Sequence, residues 1–283
     1  MASILVTGSQ GKLGRFVTAR LASEGHRVHG VDIVSASPSF DYTRLDLTDY
    51  GQVVDAMFGV QDRYEGLDAV VHLAAIPAPG QAADAATFHN NMLSTFNVFQ
   101  GARRAGIKRI VYASSETVLG LPFDTPPPYI PVDEEYAARP ESNYSLVKHL
   151  EETMAIELCR WDPELSIIAL RYSNVISPDE YAAFPDFDAD PALRRWNLWS
   201  YIDARDGAQA VVRALTYDEP GFDRFIIANA DTVMSRSSAE LAADQFPDVP
   251  ITKQLGEHET MLSIDKARAV LGFAPEYSWR SQV

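Results

Sequence analysis

Tyr144 and Lys148, in the stretch NYSLVK at residues 143–148, are the side chains whose types and spacing most directly suggest chemistry. Residues four apart lie on one face of an α-helix, so a phenol and an ammonium would meet there. The pair is either a proton-transfer device or an ordinary turn of a partly exposed helix. Tyr144 is the only one of the twelve tyrosines that is followed four residues later by a lysine. The two interpretations can be distinguished only from the elements that surround the pair.

A glycine-rich turn, VTGSQGKLG, suggests a phosphate-binding site. Gly8, Gly11 and Gly14 stand between an apolar predicted strand and an amphipathic predicted helix. Glycine permits the sharp turn and lets backbone N–H groups approach a pyrophosphate, whose charge then faces the helix N-terminus. Because the motif stands in the context that it requires, we expect this turn to bind a dinucleotide. The contributing residues are expected to be Gly8, Gln10, Gly11, Lys12, Leu13 and Gly14.

Acidic residues after the second predicted strand indicate which dinucleotide binds. The Asp32 carboxylate can accept hydrogen bonds from the adenosine ribose and would repel a 2′-phosphate, which favours NAD over NADP. Further on, Asp46 and Leu47 in RLDLTD would hold the adenine edge, although Asp46 serves equally well as a capping or turn residue.

The third predicted strand, AVVHLAAIP, ends in small residues that would let the cofactor cross the end of the sheet closely. Leu73, Ala74 and Ala75 are the expected contacts, although alanines there also suit plain packing. His72 lies on the buried strand and is expected to be a core residue rather than a ligand.

The order of predicted elements defines the fold class. Short β-branched runs alternate with helical patterns, and the strands are nearly continuous in apolar residues, which is typical of a parallel sheet covered on both faces. We therefore predict an α/β fold with a doubly wound parallel sheet. Strands are expected at Ser3–Thr7, Arg27–Asp32, Ala69–Leu73, Arg109–Ala113, Ser166–Arg171 and Phe225–Ala228. Helices are expected near Lys12–Glu24, Gly51–Phe58, Thr87–Arg104, Tyr144–Trp161, Asp206–Leu215, Ser237–Gln245 and Ile264–Leu271.

Composition excludes several function classes. The chain has 283 residues and a formal charge of −15, which argues against nucleic acid or an anionic membrane as a partner. Cys159 is the only cysteine, so no intrachain disulfide forms and a reducing compartment is expected. The N-terminus lacks the features of a signal peptide, no apolar run is long enough to span a bilayer, and no spacing suggests a metal site. We expect a cytoplasmic protein.

Nine motifs, in order along the chain, resemble those of the extended short-chain dehydrogenase/reductase family of NAD-dependent epimerases, dehydratases and uronate dehydrogenases. They are TGSQGKLG, DLTD, VVHLAA, NNMLSTFNV, VYASSETVLG, YSLVK, LRYSNVISP, YIDARDGAQAV and SIDKARAVLGFAP. The resemblance covers nearly the whole chain. It implies a Rossmann-type NAD-binding domain over residues 1–172, with 201–229 returning to it. Residues 173–200 and 230–283 would then form a small C-terminal substrate lobe.

The resemblance also implies residue roles. Tyr144 would be the general acid/base, and Lys148 would favour the phenolate by lowering its pKa and would bind the nicotinamide ribose. Ser115 would hold the reacting oxygen. Asn91 would help to organise the catalytic and cofactor site, unless it only bonds to backbone. Tyr172 is placed among the cofactor contacts, and Glu116 and Asn174 among the substrate contacts.

The segment at residues 173–200 indicates the substrate. Nucleotide-sugar enzymes of the family usually insert a longer segment there, whereas this one is short, acidic and similar to the uronate dehydrogenase arrangement. Trp196 and Trp199 would stack on a sugar ring, and Arg194 or Arg195 would pair with a carboxylate. Alternatively, the tryptophans pack the lobe and the arginines face solvent.

The leading hypothesis is an NAD-dependent oxidoreductase acting on a free sugar, a sugar acid or a similar small polyol. The alternatives are a nucleotide-sugar epimerase that keeps its NAD, and a regulatory protein that binds NAD without catalysis. The single acid in Ser115-Glu116-Thr117 disfavours a dehydratase. The resemblance further implies a homodimer that pairs through Thr87–Arg104 and Tyr144–Trp161.

Overall fold

The computed structural model describes residues 1–60 and 63–281, so positions 61–62 and 282–283 of the predicted domains lie outside the described residues. Within these ranges, nine strands follow one another in chain order, and most are short. They are β1 Ser3–Thr7, β2 Arg27–Asp32, β3 Asp41–Arg44, β4 Ala69–His72, β5 Arg109–Ser115, β6 Ser166–Tyr172, β7 Val175–Ile176, β8 Ile202–Asp203 and β9 Gly221–Ile227. Seven form one parallel sheet in the order β3-β2-β1-β4-β5-β6-β9, while β7 and β8 pair separately.

The described part of the chain forms seven α-helices. They are α1 Lys12–Ser23, α2 Tyr50–Phe58, α3 Asp84–Arg104, α4 Asn143–Trp161, α5 Ala192–Arg195, α6 Ala204–Leu215 and α7 Ser238–Gln245. Helices α1 and α6 pack together, and α3 packs between α2 and α4. None of the helices within the described ranges is long and apolar enough to cross a membrane.

Two apolar cores lie on opposite faces of the sheet, because successive strand residues point in opposite directions. In β1, Ile4 and Val6 join the core under α1 and α6, whereas Leu5 joins the core under α2, α3 and α4. This double coverage explains the unbroken apolar runs of the strands. The predicted doubly wound α/β sheet is confirmed.

The segments after β6 complete the fold. A 3₁₀-helix spans Pro178–Ala189, and its Tyr181 and Phe184 pack edge to face against Tyr201. These side chains belong to the same apolar core as the strands. The described parts of the predicted lobe therefore share a core with the sheet, and the proposed domain boundaries stay a prediction.

Differences from the predicted elements are local. β3 was not predicted, because Asp41–Arg44 is a half-exposed edge strand without an apolar run. The helix predicted over Ile264–Leu271 is in the structure a π-helical turn at Ala267–Leu271. The other predicted strands and helices are present, with ends that differ by a few residues.

Candidate active site

A cleft of about 790 Å³ opens at the carboxyl ends of the parallel strands. It lies where the strand order reverses, since the chain runs from β1 outward to β2 and β3 and then returns to β4 beside β1. Doubly wound sheets bind their ligands at this position. Many of the predicted site residues line the cleft: Gly8, Gln10, Gly11, Lys12, Leu13, Gly14, Asp32, Asp46, Leu47, Leu73, Ala74, Ala75, Ser115, Glu116, Tyr144, Lys148, Tyr172 and Asn174.

The glycine turn after β1 brings backbone against backbone. Gly8 has a φ of +66°, and a Cβ there would lie 2.7 Å from the backbone nitrogen of Ala74. A Cβ on Gly14 would lie 2.0 Å from the carbonyl oxygen of Gly8. Side chains at these positions would break the turn, so glycine is required. The result is a cradle of bare backbone at the start of α1, which fits a dinucleotide pyrophosphate.

Asp32 is held at the end of β2 by backbone donors. Its Oδ2 accepts a hydrogen bond of 3.0 Å from the backbone N–H of Gln10, and its Oδ1 accepts one of 2.8 Å from that of Ile33. These bonds orient the carboxylate beside the glycine turn, where an adenosine ribose hydroxyl can reach it. Together, the cradle and this carboxylate fit NAD.

Asp46 both lines the cleft and forms a turn. Its Oδ1 accepts hydrogen bonds from the backbone N–H and the hydroxyl of Thr48, at 2.8 and 2.7 Å. The turn-forming role considered from the sequence is therefore present, and the adenine contact stays a prediction. Lys12 lines the cleft too, but its ammonium is paired with Glu180 at 2.7 Å and also donates to the carbonyl of Val175.

Helix α4 positions Tyr144 and Lys148. It begins with a capping box, in which the hydroxyls of Ser142 and Ser145 each accept a hydrogen bond from the other residue's backbone N–H. This cap places Tyr144 in the first turn, beside the cleft. The Lys148 ammonium lies 6.0 Å from the centre of the Tyr144 ring. Both side chains are buried.

Burial dominates the ionisation of Tyr144. Desolvation raises the pKa of this phenol above its ordinary value, while the charge of Lys148 and the hydroxyl of Ser115 act to lower it. Burial also acts to lower the pKa of Lys148, but Glu151 and Tyr144 reverse the effect and raise it. Lys148 therefore carries a positive charge, and it favours the phenolate against the cost of burial.

A buried hydrogen-bond chain extends from Lys148 to the glycine turn. Lys148 donates to Glu151 at 2.9 Å, and the hydroxyl of Thr95 donates to the other oxygen of Glu151 at 2.8 Å. Thr95 can then only accept from the His72 Nε2–H, so His72 Nδ1 accepts from the Thr7 hydroxyl at 2.7 Å. Burial lowers the pKa of His72 to about 3, which keeps the ring neutral.

The hydrogen-bond chain from Lys148 to Thr7 was not predicted from the sequence. His72 was expected to be a core residue, and it is buried, but it also joins the two parts of the cleft. The missed residues are Glu151, Thr95 and Thr7. Glu151 offered a signal, because an acid three residues after Lys148 lies on the same face of α4.

Glu116 lines the cleft near Ser115 and Tyr144, away from the glycine turn. Its carboxylate accepts hydrogen bonds from the hydroxyl of Ser173 at 2.6 Å and from the amide of Asn197 at 3.2 Å. Burial raises the pKa of Glu116 to about 7, although these bonds and the charge of Arg194 act in the opposite direction. Ser115, Tyr144 and Glu116 thus line one end of the cleft together.

Four of the residues named from the sequence as site candidates, Asn91, Arg194, Arg195 and Trp199, lie outside the cleft lining. Asn91 is fully buried and clamps the loop after β4 through the backbone N–H and carbonyl of Ile76. Trp199 is fully buried, and its indole N–H donates to the carbonyl of Pro191. Arg194 is buried and donates to the carbonyl of Ser200.

These placements separate the alternatives left open by the sequence. Asn91 bonds to backbone, which was one of the two roles considered. Its bonds to Ile76 fix a loop that lines the cleft. Trp199 packs inside the protein, as the alternative expected. Arg194 is buried as well, so it neither faces solvent, as that alternative expected, nor lines the cleft. Trp196 lines it instead.

Comparison with known proteins gives the family. A sequence model of the NAD dependent epimerase/dehydratase family matches residues 4–228. L-arabinose 1-dehydrogenase (NAD(P)(+)) of Haloferax volcanii is 30% identical over 258 residues, which cover 87% of this chain and 96% of the relative. UDP-glucose 4-epimerase of Bacillus subtilis is 30% identical over 186 residues, which cover 61% of this chain and only 52%, about half, of the relative.

The solved structures agree with the fold. A crystal structure of UDP-galactose 4-epimerase superposes with a TM-score of 0.71 at 26% identity, covering 99% of this chain and 95% of the other. The family match extends over most of the chain and includes the glycine turn, Ser115, Tyr144 and Lys148. The chain therefore belongs to the NAD-dependent epimerase/dehydratase family, as its motifs predicted, and its cofactor is NAD.

Proposed function

We propose that the protein is an NAD-dependent oxidoreductase that acts on a free sugar, a sugar acid or a similar small polyol. The observation that carries the proposal is the meeting of Ser115, Tyr144 and Lys148 in the same cleft as the glycine turn. When bound, NAD⁺ accepts a hydride at nicotinamide C4.

In the oxidation direction, a substrate C–H bond and the O–H bond on the same carbon both break. The electron pair leaves as hydride, and the phenolate oxygen of Tyr144 takes the hydroxyl proton. Lys148 stabilises that phenolate, and the Ser115 hydroxyl donates to the reacting oxygen. The carbinol carbon becomes a carbonyl, which balances the two electrons and the two hydrogens that are removed. Reduction follows the reverse path.

A free sugar is favoured over a nucleotide sugar by two observations. Residues 173–200 form a short segment whose Tyr181 and Phe184 pack into the core that they share with the sheet, rather than a long insertion. The Haloferax volcanii relative, which matches along 96% of its own length, is an arabinose dehydrogenase.

The second candidate is a nucleotide-sugar epimerase, which the Bacillus subtilis relative favours. Such an enzyme would oxidise and re-reduce its substrate without releasing the cofactor. Purified protein that retains NAD through dialysis would support it, whereas freely exchanging NAD supports a dehydrogenase. A non-catalytic NAD-binding protein ranks last, because Tyr144 and Lys148 are both present.

The first test measures NADH absorbance with NAD⁺ and a panel of aldoses, uronic acids and polyols. Tyr144→Phe should lower turnover about 10²- to 10⁴-fold, as expected for loss of a general base, with NAD binding largely intact. Tyr112→Phe is the matched control, because Tyr112 is fully buried and its hydroxyl lacks a protein partner in the described ranges. Undiminished turnover in Tyr144→Phe would contradict the assignment.

We also propose that two chains pair through α3 and α4. These helices pack side by side and leave apolar side chains exposed, including Leu93, Phe96 and Ile156. Burying such side chains would stabilise a dimer. Light scattering should give twice the chain mass, and Phe96→Glu should shift the protein toward a monomer. A monomeric wild-type protein at micromolar concentration would refute the pairing.

A further inference from the structure

The charged side chains that line the cleft are mostly acidic or already paired. Lys12 and Lys148 are the cations, and each is bound to a glutamate, Glu180 at 2.7 Å and Glu151 at 2.9 Å. Both also donate to a backbone carbonyl, of Val175 and Ala113 respectively. Among residues 1–60 and 63–281, no arginine lines this cleft.

The two arginines within residues 173–200 contact groups outside the cleft lining or next to it, rather than the cleft itself. The Arg194 guanidinium donates to the carbonyl of Ser200 and lies 5.2 Å from the ring centres of both Phe187 and Trp196. Arg195 lies over the ring of Phe246, 4.3 Å from its centre. Neither is placed to receive an anion that enters the cleft.

The end of the cleft beside Tyr144 contains an acid instead. Glu116 is 3% exposed, and two hydrogen bonds hold its carboxylate in place. The charge of Arg194 acts on Glu116, but its guanidinium does not line the cleft. An anionic group bound here would therefore meet a like charge in a low-dielectric site without a cation free to bind it. A neutral polyol would instead offer hydroxyl donors to the carboxylate and an apolar ring face to Trp196.

We propose that the substrate is a neutral sugar or polyol, rather than a sugar acid or a nucleotide sugar, and that Glu116 selects against anions. The inference rests on the proposed function and narrows its substrate class. It removes the sugar acids, for which the sequence offered Arg194 or Arg195 as a partner. Glu116 is a specificity-determining residue in this proposal, while Tyr144 transfers the proton.

The test compares pairs of sugars that differ only in the group at C6, which is neutral in one member and anionic in the other. D-galactose and D-galacturonate, and likewise D-glucose and D-glucuronate, differ at C6 by a hydroxymethyl or a carboxylate. L-arabinose and D-xylose, which lack C6, extend the panel. NADH formation is measured at pH 8 with saturating NAD⁺. The neutral member of the preferred pair should have a kcat/KM at least about tenfold higher, since opposing like charges disfavour a partner strongly.

Variants locate the source of the selectivity. Glu116→Gln keeps the side-chain shape and removes the charge, so the ratio of kcat/KM for the neutral sugar and its acid should fall several-fold. Glu257→Gln removes an exposed carboxyl outside the cleft lining and should leave this ratio unchanged. An unchanged ratio in Glu116→Gln would refute the role of Glu116. The wild-type ratio needs no variant, so the substrate class remains testable even if Glu116→Gln does not fold.

The possible failures are distinguishable. NADH formation with a preference for a uronate would overturn the neutral-substrate inference and leave the oxidoreductase intact. Interconversion of a UDP-sugar with no net NADH would overturn the proposed function itself. If no sugar in the panel yields NADH, both the proposed oxidoreductase function and the neutral-substrate inference are contradicted.

Discussion

The two ends of the cleft are built in different ways. At the nucleotide end, backbone forms the site, with Gly8 pressed against Ala74 and the Asp32 carboxylate fixed by the N–H groups of Gln10 and Ile33. At the proposed substrate end, around Glu116, buried side chains line the cleft, and Glu116 is held by Ser173 and by Asn197, which is 81 residues away in the chain. Backbone recognises a feature shared by all dinucleotides, while side chains can adapt to one particular substrate.

The difference extends to electrostatics. Glu116 is a buried carboxylate whose pKa burial raises to about 7, whereas Asp32 receives two backbone N–H groups. The hydrogen-bond chain from Lys148 through His72 to Thr7 passes between the two ends. Substitutions at the substrate end should therefore change chemistry and pH dependence, and those at the nucleotide end should change cofactor choice.

After Tyr144→Phe, the largest expected effect is that of Lys148→Met. Without the ammonium, the pKa of Tyr144, which burial already raises, should rise further. Turnover near pH 7 should fall by about 10²-fold or more, and part of the loss should be recovered as pH increases, because the phenolate then forms. The measurement is kcat across pH 6 to 10.

A matched control is Lys266→Met. Like Lys148, this lysine is ion-paired, with Asp223, but it is only partly buried and does not line the cleft, so turnover should change little. Circular dichroism must show that Lys148→Met is folded, since Glu151 loses its partner. If the scaled pH profile of the variant coincides with that of the wild type, Lys148 does not act through Tyr144.

Asp32→Ala tests the nucleotide end. Loss of charge-assisted hydrogen bonds to the ribose should weaken use of NAD by about ten- to a hundredfold in kcat/KM. Use of NADP should improve relative to NAD, because the charge that repels its 2′-phosphate is gone. Sugar selectivity should not change. An unaltered ratio of NAD to NADP use would place the ribose away from Asp32.

Glu116→Gln should change how stability depends on pH. The folded-state pKa of about 7 lies above the ordinary carboxyl value, so the folded state binds the proton more tightly than the unfolded chain does. Wild-type stability is then lost as pH rises from about 5 to about 8. Glutamine does not titrate, so the variant should gain roughly 1 to 3 kcal/mol relative to wild type over this interval.

Urea unfolding at pH 5 and pH 8 measures this difference. Glu257→Gln, which removes an exposed carboxyl, is the control. If the free-energy difference between Glu116→Gln and wild type is equal at the two pH values, Glu116 does not titrate in the folded protein between them.

The sequence predicted the nucleotide end more completely than the proposed substrate end, because the nucleotide end is built from motifs that are local in the chain. Gly8, Gly11 and Gly14 form a local motif whose required context, a strand followed by a helix, is visible in the chain. Tyr144 and Lys148 are likewise linked by helical spacing. Their positions along the cleft follow once the order of the elements is known.

The substrate end depends on long-range packing that a local pattern does not contain. Trp199 and Arg194 were candidates because of their residue types, yet Trp199 donates to Pro191 and Arg194 to Ser200 within a tightly turned segment. Leu198 and Trp199 have positive φ angles of 53° and 55°, which no residue pattern there indicated. Similarly, β3 is visible only through its pairing with β2.

The smallest expected effect concerns the contact that joins the two ends. Lys12, in the glycine turn, pairs with Glu180, in the 3₁₀-helix Pro178–Ala189 of the substrate segment. Both side chains are well exposed, at 43% and 38%, so solvent screens the pair. A double-mutant cycle with Lys12→Ala and Glu180→Gln should give a coupling energy below about 1 kcal/mol that declines with salt.

The cycle is needed because Glu180 also accepts a hydrogen bond from the backbone N–H of Ser177, so the single variant loses more than the ion pair. Measuring the coupling energy between Lys12 and Glu180 with and without saturating NAD then shows whether the two ends of the cleft act independently. If the two ends act independently, NAD should leave the coupling unchanged. A coupling that disappears on NAD binding would mean that Lys12 exchanges Glu180 for the cofactor, and that the nucleotide end controls the position of the substrate segment.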